Sequence, residues 1–473
     1  MTTIAHFDNL SAIVGASGIT RNDDVMLPWL TDWRGEYSGK AMAMVSPTTT
    51  REVAAIVEYC AANHLPIVPQ GGNSGMVAGA TPDASGDAIL LSLRRMTAID
   101  TNDIRAGLVK VEAGVILQTL HEAVASLGWR FPLTLGGRGS ATVGGLISTN
   151  AGGTQVLRHG TMRALVAGIE AVLPDGSVIN DMAALAKDNR GYSLRELLIG
   201  AEGTLGIVTK AVLKLVPAIK DRCVAWVGVS SLANARALLH RCQAGMAGRL
   251  EAFEVVPHSA LQTVLAEIPG TRASLESAHD WYALIEIVRE GDDQSDSAAL
   301  VERVLGDALA AGLVSDAVIA ANETQAEALW RIRESISEAE RSRGLAVQHD
   351  ISVPVSRMAE FVDIASDRIE RAFPGCECMA FGHLGDGNVH FHVRAPANVD
   401  NLTWKNVGLS ISSLVYDIVD EFEGSLSAEH GIGRSKVALL PRHLSPSRLA
   451  AMRAIKTALD PFGIMNPGAL LNP

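Results

Sequence analysis

Phe381-Gly382-His383-Leu384-Gly385-Asp386-Gly387-Asn388-Val389-His390-Phe391-His392 reads as a strand, a tight turn and a second strand. Asp386-Gly387 is a favoured two-residue turn, because both positions tolerate positive φ. Pairing outward from it sets Gly385 opposite Asn388, Leu384 opposite Val389 and His383 opposite His390. Directly opposed residues share a sheet face with Cβ atoms roughly 5 Å apart, so the two imidazoles can hold one divalent ion. A second segment, Ser427-Ala428-Glu429-His430-Gly431-Ile432-Gly433, adds a carboxylate and another histidine on a glycine-rich turn. Two histidines and a glutamate leave coordination positions open, which is the pattern of a catalytic rather than a structural metal. One histidine alone reads as an exposed hairpin side chain; the set points to metal.

With 473 residues, 48% of them hydrophobic and 19% charged, the chain can bury two or three separate cores. A formal charge of −12 excludes nucleic acid as the main partner, since phosphate binding needs a basic surface. An anionic substrate then requires a local cationic pocket. Cys60, Cys223, Cys242, Cys376 and Cys378 form no CxxC pair and are odd in number, which reads as reduced thiols in the cytoplasm. Cys376-Glu377-Cys378 fits alternating strand residues. The N-terminus has no basic segment followed by an apolar run, and no stretch approaches the ~20 apolar residues of a membrane span.

Residues 1–40 read as a helical arm with a Trp-containing connector. Thr49 and Glu52 form a capping box, and Val53, Ile56, Val57 and Cys60 follow at helical spacing. Leu65-Pro66-Ile67-Val68 is a short buried strand running into Pro69-Gln70-Gly71-Gly72-Asn73-Ser74-Gly75. Glycines there let backbone amides converge on an anion. A second glycine-rich region runs from Leu135 to Gly145 and on through Asn150-Ala151-Gly152-Gly153, as suits backbone wrapped around a flat ligand. Gly200-Ala201-Glu202-Gly203-Thr204-Leu205-Gly206-Ile207-Val208-Thr209 is a third. Beyond Pro217, strand-like runs (Ala225 to Val229, Tyr282 to Val288) alternate with helical ones (Leu232 to His240, Ser297 to Ala311), giving an α+β second domain. A long helix is expected over 323–343, ended by Gly344, then a strand from His349 to Val355.

These segments resemble the vanillyl-alcohol oxidase flavoprotein superfamily. The three glycine-rich stretches look like its FAD-binding domain. Gly382 to His390, Ser427 to Gly433 and Asp460-Pro461-Phe462-Gly463-Ile464-Met465-Asn466-Pro467-Gly468 look like its D-2-hydroxyacid dehydrogenase branch, which includes D-2-hydroxyglutarate and D-lactate dehydrogenases and the glycolate oxidase flavin subunit. The resemblance covers residues 40–473. It implies an α+β fold, with a two-subdomain FAD-binding domain at 41–218, a substrate domain with an antiparallel sheet at 219–425, and a C-terminal segment, 426–473, returning to the FAD domain.

The resemblance further implies FAD held by Pro69, Gly71, Gly72, Asn73, Ser74 and Gly75, with the pyrophosphate against this loop. Gly136, Gly137, Ser140, Thr142, Gly144, Gly145, Asn150, Gly152, Glu202 and Ile207 would line the rest, and Asn466 would approach the flavin ring. The first loop contains neither His nor Cys, so the FAD is expected to be non-covalent. His383, His390 and Glu429 would bind Zn²⁺ or Mn²⁺, His430 would be the general base, and Asn388 would touch substrate. Arg333 would pair with the substrate carboxylate, with Ser337 four residues on along the same helical face. Hydroxyglutarate enzymes carry a Lys where this chain has Gln348, and Gln cannot form a charged pair with a second carboxylate. A homodimer, and an electron-transfer flavoprotein or a quinone as acceptor, complete the expectation.

Chemically, a 2-hydroxy acid gives its Cα hydride to flavin N5 while its hydroxyl loses a proton. A metal stabilises the developing alkoxide, and a well-placed His takes the proton, an effect of roughly 10²- to 10⁴-fold. Two other readings stay open. One is an electron-relaying flavin subunit of a glycolate-oxidase-like complex. The other is a metal-dependent hydrolase built on His383, His390 and Glu429, which leaves the glycine-rich segments unexplained.

Overall fold

In the computed structural model, which describes residues 3–291, 296–397 and 399–472, the chain divides into two units. Residues 1, 2 and 473, the ends of the expected arm and C-terminal segment, lie outside that description. The first unit comprises Met1–Gly153, His159–Ala218 and Glu429–Pro473; the second, Thr154–Arg158 and Ile219–Ala428.

The first unit contains a four-stranded sheet and a five-stranded sheet. The smaller has the order Ile19–Thr20, Ala43–Val45, Ile89–Ser92, Ile67–Gln70, parallel among its last three strands. Helix Thr50–Asn63 packs on it. The Thr49 hydroxyl accepts the Glu52 amide at 3.2 Å, and the Glu52 carboxylate takes the Thr48 amide at 2.6 Å. Val53, Ile56, Val57 and Cys60 are wholly buried, each aliphatic worth about 1.5–3 kcal/mol. The N-terminal helix Thr3–Val14 is part of this core through Leu10 and Val14, so it is no separate arm. Ile464 and Met465, from the far end of the chain, join the same core, and the Ile67 amide donates to Ile464 O at 2.8 Å.

The five-stranded sheet is antiparallel, in the order Ile99–Asp100, Leu108–Glu112, Ile207–Lys214, Val166–Val172, Val178–Asp181. Helices Leu117–Ala125 and Val143–Ser148 complete its core.

The second unit is built on seven antiparallel strands in the order Asp316–Ile319, Ile219–Val229, Trp281–Glu290, Leu250–Pro257, Glu377–His383, Asn388–Arg394, Ala346–Ser352. Part of one face packs against helices His258–Glu267, Glu323–Glu334 and Ile336–Ser342 around Trp226, Leu284, Trp330 and Phe381. The short segment Thr154–Arg158 belongs here because Arg158 is bound by Glu251 at 2.9 Å, by Glu290 at 3.0 Å and by Gly248 O at 3.1 Å. Among the described residues no helix is long and apolar enough to cross a membrane.

The expected single helix over 323–343 is broken at Ser335. Trp330 and Arg333 are pinned to sheet carboxylates Glu286 and Glu254, while Ile336 and Ala339 enter the apolar core beside them.

Candidate active site

A cavity of about 670 Å³ opens in the first unit, within the size range of small-molecule sites. Its wall contains Pro69, Gly71, Gly72, Asn73, Ser74 and Gly75 from the first glycine loop. Gly136, Gly137, Ser140, Thr142, Gly144, Gly145 and Gly152 come from the second region and Glu202 and Ile207 from the third, with Glu429 and His430 beside them. Strand Ile67–Gln70 delivers the first loop, and Gln70 Nε2 ties it down by donating to Trp29 O and Ala80 O, both at 2.9 Å. Asn73, at a left-handed φ of 51°, donates to Thr31 O at 2.8 Å. A Cβ on Gly72 would stand 1.7 Å from Ser140 O, so only glycine lets the two loops close up.

The chemistry of this wall fits FAD. Most of its residues are glycine, alanine, serine or threonine, and a Cβ at Gly75 or Gly136 would meet nothing within 4 Å, so these positions open onto free space. Gln70 Oε1 and Thr142 Oγ1 are buried acceptors or donors without a partner, and burying such atoms is costly unless something binds them.

Three expected cofactor contacts have other duties. Asn150, at φ 50°, accepts the Arg163 amide at 2.9 Å and is absent from the cavity wall. Asn466 donates at 2.8 Å to Gly79 O and to Glu202 O, bracing the wall without lining it. Glu202 does line it, but its carboxylate accepts the amides of Ile432 at 2.8 Å and Gly433 at 2.7 Å. It thereby fixes the turn that follows Glu429-His430.

In the second unit the hairpin register differs from expectation. His383 pairs with Asn388 and Phe381 with His390. Leu384 leaves the ladder because its side chain is wholly buried and its amide goes to Phe253 O at 3.1 Å. The loop closes instead with the Gly387 amide on His383 O at 3.1 Å. Gly387 has φ +81°, and a Cβ there would meet Val353 O at 2.1 Å. The register shift is two residues, which preserves the face. His383 and His390 are therefore diagonal neighbours, ring centroids 5.5 Å apart.

Around them the sheet carries a polar row that interrupts an apolar strand pattern. Glu254 opposes His383 and accepts its Nδ1–H at 2.5 Å through Oε1, while Oε2 accepts Arg333 Nε–H at 2.8 Å. Burial would push the Glu254 carboxyl up; His383 and Arg333 outweigh that and hold it below the ordinary range. Burial, with Arg333 and His383 nearby, drives His390 well below the usual imidazole value, so it is neutral at pH 7, the metal-binding form. Asn388 donates to Asp350 Oδ1 at 2.8 Å and Ile351 O at 3.0 Å, and its own Oδ1 is buried without a partner. Gln348 lies on the same face, opposite His392, which pairs with Glu340. Ser337, beyond the break at Ser335, is exposed and does not share the buried face of Arg333.

His383 and His390 fit a metal as a face-sharing pair with one ring oriented by a carboxylate. Among the described residues no group of three or more His, Cys, Asp or Glu side chains is arranged to hold a metal ion. Sequence reasoning missed Glu254 and Asp350. A charged residue inside Ala252-Phe253-Glu254-Val255-Val256 was the available signal for the first. His349 is structural, as Nδ1 meets Phe391 O at 2.9 Å and Nε2 meets Ser412 at 3.0 Å.

Residues 41–181 match the FAD binding domain family, and residues 219–470 match the C-terminal domain of FAD linked oxidases. The chain is 37% identical to a mitochondrial D-2-hydroxyglutarate dehydrogenase of Arabidopsis thaliana, covering 97% of this chain and 80% of that protein. It is 34% identical to a putative mitochondrial D-lactate dehydrogenase of Schizosaccharomyces pombe, covering 92% and 83%. Among solved structures, p-cresol methylhydroxylase matches with a TM-score of 0.75 at 16% identity, over 99% of this chain and 97% of that one. Alkyldihydroxyacetonephosphate synthase matches with a TM-score of 0.73 at 16% identity, over 99% and 85%. The fold is thus of the vanillyl-alcohol oxidase type.

Proposed function

The chain belongs to the FAD-linked oxidase family, and from that premise we propose that it oxidises a D-2-hydroxy acid to the 2-oxo acid with metal assistance. The observation that carries this reading is the glycine-walled cavity with Glu429 and His430 on its wall. When bound, FAD supplies the hydride acceptor, and a divalent ion, Zn²⁺ or Mn²⁺, supplies a Lewis acid for the substrate hydroxyl.

The protein's part is positioning and proton transfer. His430 takes the hydroxyl proton. Arg333 receives the substrate carboxylate on its guanidinium. Asn388 offers its unpartnered Oδ1 as an acceptor. His383, His390 and Glu429 are the ligands we propose for the metal. The substrate proposed is D-2-hydroxyglutarate or a D-lactate- or D-malate-like acid, in keeping with the names of the relatives. Gln348, in place of a cation, favours the acids with one carboxylate. An electron-transfer flavoprotein or quinone is the proposed acceptor and a homodimer the proposed assembly. The five unpaired cysteines support a reducing compartment, for which we propose the cytoplasm.

The test is an anaerobic absorbance titration of purified protein with D- and L-2-hydroxy acids, before and after EDTA. Flavin bands that bleach with a D-acid, stop bleaching after chelation and recover with Zn²⁺ or Mn²⁺ are expected. Bleaching indifferent to chelation would remove the metal from the reading. No flavin bands after reconstitution would overturn it.

A further inference from the structure

We propose that Glu254 is a positioning residue that sets two functional side chains with one carboxylate. Oε1 orients the metal-binding ring of His383, and Oε2 orients the substrate-binding guanidinium of Arg333. The inference rests on the roles assigned to those two residues above.

Glu254 lies in the middle of strand Leu250–Pro257, every residue of which is buried. Placing a carboxylate there costs several kcal/mol unless it is paired and hydrogen-bonded. An apolar side chain would suit the strand, so the glutamate calls for a reason beyond folding. Its contacts supply one. Taking the His383 Nδ1–H at 2.5 Å fixes the ring's tautomer and rotation, so that Nε2 is the atom a metal would use. With a metal bound, this would be the carboxylate–histidine–metal arrangement that raises ligand basicity. Taking Arg333 Nε–H at 2.8 Å fixes one edge of the guanidinium, while the Phe381 ring, 5.0 Å below, holds its plane. The terminal nitrogens then form the edge that can meet a carboxylate in bidentate fashion. The same Phe381 ring contacts His390, with centroids 5.1 Å apart. A single negative charge thus keeps Arg333 and a metal-loaded His383 from repelling one another, and the two sites share one rigid support.

The test uses FAD-loaded protein and Zn²⁺ as the probe. Glu254→Gln is expected to weaken Zn²⁺ affinity roughly 10- to 100-fold, read by competition with a chromophoric chelator, and to raise KM for the D-acid, with flavin content unchanged. Arg333→Met is expected to raise KM and leave Zn²⁺ affinity alone. Should Glu254→Gln fail to fold because Arg333 is left unpaired, the double variant Glu254→Gln/Arg333→Met removes the stray charge. Its Zn²⁺ affinity must still fall below that of Arg333→Met. Wild-type Zn²⁺ affinity and KM in the glutamine variant would overturn the proposal, since a merely structural carboxylate lowers thermal stability alone. If wild-type protein takes up no Zn²⁺, the metal reading itself fails and takes the His383 half with it. The KM of Glu254→Gln then decides the Arg333 half.

Discussion

Glu202 and Gly433 stand 231 residues apart in the chain and are joined by a 2.7 Å bond from the glycine amide to a carboxylate oxygen. The second oxygen takes the neighbouring Ile432 amide. Glu202 does this from a left-handed φ of 52°, a conformation that costs a residue with a side chain of order 1–3 kcal/mol. Its peptide is braced as well, by Ser148 O on the amide and by Asn466 on the carbonyl. Burial pushes its carboxyl above the ordinary range, against the pull of the two amides.

Glu202→Gln is expected to loosen the turn after Glu429-His430, because an amide NH₂ cannot accept from a backbone N–H. Turnover should fall on the order of 10- to 100-fold, the scale of a small misplacement of reacting groups, while FAD stays bound. Hydrogen exchange of the peptide covering residues 429–436 should speed up. Unchanged exchange would show that the turn is held by other contacts.

Gly75→Val and Gly72→Ala should separate cofactor binding from folding. The first adds a side chain to open space, so the apo-protein should melt within ~0.5 kcal/mol of wild type and bind FAD at least 10-fold more weakly. The second drives a methyl to 1.7 Å from Ser140 O, and should lower the apo melting temperature as well. Flavin titration and thermal melts of both variants check the contrast.

Lys456→Met should destabilise strongly. Lys456 donates to Asp460 Oδ2 at 2.5 Å and to Thr204 O and Met465 O at 2.8 Å, while Asp460 also receives the Ile464 and Met465 amides. Removing the cation strands a buried carboxylate, at a cost of about 3–5 kcal/mol. Adding Asp460→Asn to the same protein should recover part of the loss, measured by denaturant melts of both variants.

The thiols should be inert in the native protein. Burial pushes Cys60, Cys242 and Cys378 up to about 12 and Cys223 up to about 11. A raised thiol value means neutral sulfur, so almost no thiolate exists at pH 8 to attack iodoacetamide. Mass spectrometry should find these four unmodified before denaturation and all modified after it. Fast native labelling of Cys60 would contradict its burial.

The readable parts of this protein were those whose signal is local. Glycine-rich stretches announce a backbone-walled cavity because nothing else explains so many missing side chains in three places. His383 and His390 were assigned to one face correctly although the register was off, because a two-residue slip conserves strand parity. The turn itself was misread because Leu384 is drawn away by Phe253, a residue of a different strand. The break at Ser335 follows residues held by Glu286 and Glu254, more than 40 positions upstream in the chain, contacts that leave no mark in the helical pattern. Asn150 and Asn466 are expected at the cofactor through the resemblance, and their left-handed backbone and the hydrogen bonds it sets up are not legible in the motif.

The chain crosses between its two units at Gly153, Arg158, Ala218 and Ala428. During synthesis, at ~5–20 residues per second, the unit that starts first must therefore finish last. The small sheet lacks its Ile464 and Met465 neighbours, and the cavity lacks Glu429 and His430, until residues 429–472 have left the ribosome. The intervening unit has all its strands by residue 394 and its last helix by residue 421. The cavity wall is thus complete only once residues 429 and 430 have been made, and the core of the small sheet only once residues 464 and 465 have.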